Sequence, residues 1–264
     1  MPTLTSKDGT TIGYEAKGSG PVIIMVAGAT QYRAIDPTTP RLIDQLSDRF
    51  TMINFDRRGR GESTDTAPYA VAREIEDIEA LIDVFGGQAG LYGMSSGAVL
   101  ALEAGVALPG KVRSVLLYEP PVDVDQPSAD AWKQHAEMAV LAERGEAEAM
   151  MSLFMGAFMS PKDLAGFRQS PAWPGFAAVG GTIEHDYRIM AEATDGDRHP
   201  ARWQQIGVPV LVVNGDSSCP FIDAGAAWVA AGVPGARRQI LTGQGHDVSV
   251  EAIAPVIAEF FGAR

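Results

Sequence analysis

The pentapeptide Gly93-Met94-Ser95-Ser96-Gly97 sets a serine between two glycines, after the apolar pair Leu91-Tyr92 and before the helix-forming run Ala98-Val99-Leu100-Ala101-Leu102. This is G-x-S-x-G in a strand–turn–helix context, where glycines relieve crowding around a strained turn that lifts the hydroxyl clear of a sheet. The same turn puts the backbone N–H of Ser96 at a helix N-terminus, where partial positive charge favours an oxyanion. A serine is a poor nucleophile until a neighbouring base takes its proton, so the pattern requires a histidine. His246 meets the requirement: Gly243-Gln244-Gly245-His246-Asp247 is a Gly-rich loop after the strand-like Gln239-Ile240-Leu241 and before a final helix over 251–261. His135, His185 and His199 are read as surface or packing residues.

The elements that must position this pair alternate along the chain. Short β-branched runs at 22–26, 51–55, 90–92, 112–118 and 208–214 are followed by helical patterns, the rhythm of a mainly parallel sheet covered on both faces. The alternation at 11–15 reads as part of an antiparallel edge hairpin. Ile75, Ile78, Leu81, Ile82 and Phe85 share a helical stripe over 72–85, which predicts that Glu74, Glu76, Asp77 and Glu79 face water. From Pro121 to about Arg202 the strand rhythm stops, while Met138, Met150, Met151, Phe154, Met155, Phe158, Met159, Trp173 and Phe176 accumulate. This segment is expected to be a helical cap, 121–202, inserted in a core formed by 1–120 and 203–264. Its Met and aromatic content suits an adaptable apolar pocket roof, and ordinary helix packing explains most of it equally well.

At 264 residues with 46% apolar side chains, the chain can bury one substantial core. A formal charge of −12 argues against nucleic acid and against an anionic membrane surface, because both recruit clustered Lys and Arg. With Cys219 the single cysteine, an intrachain disulfide and a multi-cysteine zinc site are excluded, and a reducing cytoplasm fits best. The N-terminus lacks a basic region followed by an apolar run, and no stretch approaches the length that spans a bilayer. The composition is compatible with a homodimer.

The chain resembles the α/β-hydrolase superfamily over nearly its whole length. Besides the elbow and the histidine loop, Asp56-Arg57-Arg58-Gly59-Arg60-Gly61-Glu62-Ser63 is similar to the D-x-R-G-x-G-x-S segment after that family's fourth strand. The resemblance implies an α/β fold, a mostly parallel central sheet flanked by helices with a helical cap, and serine catalysis with no metal or organic cofactor. Structural roles are expected for Asp56 and Arg58. The family's oxyanion loop, an H-G-x motif after the third strand, corresponds to Val26-Ala27-Gly28-Ala29-Thr30. Ala27 replaces the histidine, but the donors are backbone N–H groups, so Ala29 and Ser96 can still supply them.

The acid departs from the usual pattern. Most of the family carries it after the strand preceding the histidine, where Gly215-Asp216-Ser217-Ser218-Cys219-Pro220 presents Ser218 at the acid's position and Asp216 two residues early. A two-residue shift in a loop moves a side chain by several ångströms, too far for direct contact with an imidazole. Glu119, in Leu116-Leu117-Tyr118-Glu119-Pro120-Pro121, instead ends an apolar strand that two prolines stop, and a charge there needs a partner such as an imidazolium. This resembles the subgroup with its acid after the sixth strand, including pancreatic-type lipases and zearalenone-hydrolysing lactonases. Glu119 is therefore preferred to Asp216, with Asp247 a further candidate for orienting the histidine loop. The resemblance implies a small apolar ester or lactone substrate. Carbon–carbon bond hydrolases, perhydrolases and slow-turnover receptors of the same fold are the alternatives.

Overall fold

A computed structural model describes residues 2–262. Eight strands form one sheet: β1 (Thr3–Thr5), β2 (Thr11–Gly18), β3 (Val22–Val26), β4 (Thr51–Phe55), β5 (Ala89–Met94), β6 (Val112–Tyr118), β7 (Val210–Gly215) and β8 (Arg237–Leu241), in the order β1-β2-β4-β3-β5-β6-β7-β8. β1 and β2 pair antiparallel, β2 joins β4 antiparallel, and β3 to β8 run parallel. The sheet is thus the mostly parallel one expected.

Successive side chains on a strand point to opposite faces, so each parallel strand feeds two cores. Ile24, Val26, Leu91, Leu117 and Val212 pack with α2 (Val71–Val84), α3 (Ser96–Ala107) and, further along the chain, α9 (Pro220–Gly232). On the other face Ile23, Met25, Tyr92, Leu116 and Val213 pack with α1 (Thr39–Leu46) and α10 (Val250–Gly262). Helix α3 is covered almost all round, and its one charged side chain, Glu103, is paired with Arg202.

Between β6 and β7 the chain forms α4 (Ser128–Glu143), α5 (Ala147–Gly156), α6 (Pro161–Arg168), α7 (Trp173–Ala177) and α8 (Ile183–Ala193), and contributes nothing to the sheet. Met138, Met150, Met151, Trp173, Val179 and Ile183 bury one another in a separate cluster. No described helix is long and apolar enough to cross a membrane.

One expectation fails. Glu74 and Asp77 of α2 do not face water; they are 2% and 1% exposed. Glu74 holds Arg57 through two bonds of 2.6 and 2.7 Å, and Asp77 holds Arg58 through two of 2.8 Å. Helical spacing separates apolar from polar positions, but cannot tell a carboxylate facing water from one facing a buried guanidinium.

Candidate active site

The strand order reverses at β3, whose neighbours β4 and β5 lie on either side of it. In such sheets the loops leaving adjacent strands part at that point and open a crevice at their carboxyl ends. The loop after β3 carries Ala27 to Thr30, and the turn after β5 carries Ser95.

Ser95 has φ 56° and ψ −130°, a left-handed conformation that a non-glycine residue rarely adopts. Its neighbours explain why the turn needs glycine. A Cβ on Gly97 would sit 2.3 Å from the Val26 carbonyl oxygen, and one on Gly93 would sit 2.4 Å from the Gly97 carbonyl oxygen. The β3 loop approaches equally closely, since a Cβ on Gly28 would lie 2.9 Å from Ser95 Cβ. Gln31 braces this loop by accepting from the Gly28 N–H at 2.7 Å. Among the described residues, the N–H groups of Ala29 and Ser96 have no protein acceptor.

Glu119 follows β6 in the same rare backbone region, with φ 49°, and its side chain is fully buried. Its Oε2 lies 2.8 Å from His246 Nδ1. Its Oε1 accepts from the Gly215 N–H at 2.9 Å and from the Ser218 hydroxyl. Burial pushes the Glu119 carboxyl up, but the hydrogen bonds from His246, Ser218 and Gly215 outweigh it and hold the group below the usual carboxylate range. The Tyr118 hydroxyl donates to the Gly245 carbonyl and anchors the loop that carries His246.

Asp216 serves that loop differently: its Oδ1 accepts from the Gly243 N–H at 2.7 Å and the Ser217 hydroxyl at 3.2 Å. Asp247 is exposed and makes no hydrogen bond among the described residues. The structure brings Glu119 and His246 together, while Ser95 Oγ is half-buried and makes no hydrogen bond, to His246 or to any other described residue. Serine–histidine contacts of this kind are commonly open without substrate and tighten around it. The remaining histidines lie elsewhere: His135 contacts Glu184, His185 stacks on Tyr69 at 3.7 Å, and His199 packs on Trp228 at 4.2 Å.

Two contributors, Gln31 and Asp186, were not singled out beforehand, and Ser218, noted only for its position, takes a supporting role. Ser218 supports Glu119, Gln31 supports the β3 loop, and Asp186 of α8 bonds Ser96 Oγ at 2.7 Å. A cavity of about 60 Å³ beside the elbow is lined by Ala27, Gln31, Tyr92, Met94 and Asp247 among others, and by no residue of 121–202. The inserted helices cover the β3 loop instead: Ala29 and Tyr32 pack against the Met138–Trp173 cluster, and the Tyr32 hydroxyl donates to the Gly175 carbonyl at 3.1 Å.

The family model described as "Alpha/beta hydrolase family" matches residues 23–259. The chain belongs to the alpha/beta hydrolase family. The 2-(acetamidomethylene)succinate hydrolase of Mesorhizobium japonicum is 29% identical to this hydrolase over 96% of the chain and 92% of its own length. A crystal structure of an alpha/beta hydrolase from Sphaerobacter thermophilus is 40% identical, with a TM-score of 0.83 over 98% of this chain and 100% of its own. The enol-lactonase from Burkholderia xenovorans shares the fold at 20% identity, with a TM-score of 0.72 over 99% and 100% of the two chains.

The buried carboxylates give this hydrolase a defined acid limit. Burial raises Glu119, Glu74 and Asp186, but hydrogen bonds lower the first and arginine charges the other two, so all three end below their ordinary values. Groups depressed in the folded state stabilise it fully above their unfolded values of about 4, and that stability is lost as pH falls through the folded values. Burial raises Asp77 instead, offsetting part of this. Burial likewise pushes the His185 imidazole down, so thermal melting should begin to decline below about pH 6.5 and fall steeply below about 4. A melting temperature that holds or rises in acid would contradict the assignment.

Proposed function

We propose that this hydrolase is a serine enzyme that cleaves a small apolar carboxylic ester or lactone through an acyl-enzyme, with no metal or organic cofactor. The observation that carries the reading is the buried Glu119 carboxylate 2.8 Å from His246 Nδ1, directly after the strand that pairs with the one leading into Ser95. Ser95 Oγ attacks the carbonyl while His246 Nε2 takes its proton and returns it to the leaving alkoxide. Glu119 keeps the Nδ1–H tautomer, and the N–H groups of Ala29 and Ser96 hold the oxyanion. Water, deprotonated by the same imidazole, then releases the acid and restores Ser95.

A neutral substrate is favoured by charge. Arg57 and Arg60 behind the β3 loop are tied to Glu74 and Asp186, and Arg33 beside it to Asp56 and Glu62. The lone cysteine and acidic surface suit a cytoplasmic enzyme whose partner is a small molecule. The 29% identity to 2-(acetamidomethylene)succinate hydrolase favours a second reading, hydrolysis of an acylated amine carrying carboxylates.

The test is p-nitrophenyl butyrate. A burst of p-nitrophenol equal to the enzyme concentration, followed by slower turnover, is expected of an acyl-enzyme. Binding without turnover would point to a receptor, and activity confined to acylated amines would favour the second reading.

A further inference from the structure

We propose that Asp186 of α8, outside the Ser95–His246–Glu119 set, is a positioning residue for the oxyanion hole; this rests on the serine-hydrolase reading above. Its carboxylate is buried and reaches three side chains. Oδ1 accepts from Ser96 Oγ at 2.7 Å and from Arg57 Nη1 at 2.6 Å, and Oδ2 accepts from Arg60 Nη2 at 2.6 Å.

Two of these partners, Arg60 and Ser96, lead on to an oxyanion donor, and Arg57 holds the neighbouring Ala27–Gly28 peptide. Arg60 Nη1 donates to the carbonyls of Gly28 at 2.6 Å and Gln31 at 3.2 Å, and Arg57 Nη1 donates to that of Ala27 at 3.2 Å. The Gly28 carbonyl and the Ala29 N–H belong to one planar trans peptide and point in opposite directions. Holding the carbonyl on Arg60 therefore aims the Ala29 N–H away from the arginine, in a loop whose Gly28 presses on Ser95. Were this peptide to turn over, it would offer a carbonyl oxygen to a developing oxyanion. The second donor belongs to Ser96, whose hydroxyl is tied to the same carboxylate. One side chain from the inserted helices thus orients both donors, and docking of α8 becomes part of assembling the hole.

A structural carboxylate would also neutralise buried arginines, so the test must separate the two roles. Asp186→Asn keeps the shape but turns an amide group toward one of its donors. It is expected to lower kcat on p-nitrophenyl butyrate by about 10²-fold with KM changed less than about threefold, the pattern of an interaction made only in the transition state. Phosphonylation of Ser95 by a fluorophosphonate, which develops charge on an oxygen in the same hole, should slow by a similar factor. Ser96→Ala removes one hydrogen bond from a small residue and should lower kcat about tenfold. Asp77→Asn, which disrupts the Arg58 pair away from the hole, should lower the melting temperature and leave kcat unchanged.

Kinetics of folded Asp186→Asn equal to those of the parent, or a loss shared by Asp77→Asn, would reduce Asp186 to a structural role. If Asp186→Asn does not fold, Ser96→Ala decides, and parental kcat there overturns the inference. Failure of the parent protein to be labelled at Ser95 would instead overturn the serine-hydrolase reading, and this inference with it.

Discussion

Replacing Ser95 with alanine is expected to lower kcat for p-nitrophenyl butyrate by about 10⁶-fold while leaving the fold intact, the scale seen when a triad serine is removed from a protease. The magnitude follows from losing the covalent step, since water must then attack a carbonyl polarised only by the two N–H donors. The fold should survive because the Ser95 hydroxyl makes no hydrogen bond to any described residue. Its cost lies in a backbone φ of 56°, which alanine shares. The melting temperature should move by no more than about 2 °C, and fluorophosphonate labelling should vanish. Hydrolysis retained in purified Ser95→Ala protein would remove the serine from the mechanism.

Glu119→Gln should lower kcat by about 10⁴-fold, the scale observed when a triad acid is exchanged for its amide. Glu119 Oε1 already accepts from Gly215 and Ser218, so the amide oxygen of a glutamine belongs there. Its NH₂ group then faces His246 Nδ1 and donates to it. That bond selects the tautomer with its proton on Nε2, which cannot accept the proton of Ser95. Asp216→Asn keeps an acceptor for the Gly243 N–H in an exposed loop, and kcat should change by less than about threefold. The reverse ranking of these two variants would identify Asp216 as the acid and Glu119 as a structural carboxylate.

The parts legible in the sequence were those governed by local rules. Two glycines around Ser95 announce a turn with no room for side chains, and the prolines after Glu119 end its strand at the edge where His246 must arrive. The strand rhythm and its interruption at Pro121 follow equally local patterns. What stayed hidden was pairing at a distance. Nothing near Arg57 and Arg60 in the chain reveals that Asp186, 129 and 126 residues on, completes their charge. Glu74 and Asp77 were misread for the same reason. Three arginines among four residues, directly after a buried strand, were a usable signal, because guanidinium groups entering a protein interior require carboxylates. The Met and aromatic residues of 121–202 carried two readings, a pocket roof and ordinary helix packing, and Met138, Met150, Met151 and Trp173 bury one another inside the insertion.

The hydrogen bond between Ser218 and Glu119 joins two distant parts of the chain. Ser218 lies in the loop after β7, and its hydroxyl touches the carboxylate that comes from the adjacent strand. Two addresses in the gene therefore deliver a side chain to one spot beside the imidazole. The loop after β7 and the end of β6 thus share the support of one imidazole, and a substitution at either address is felt at the other while the histidine stays where it is.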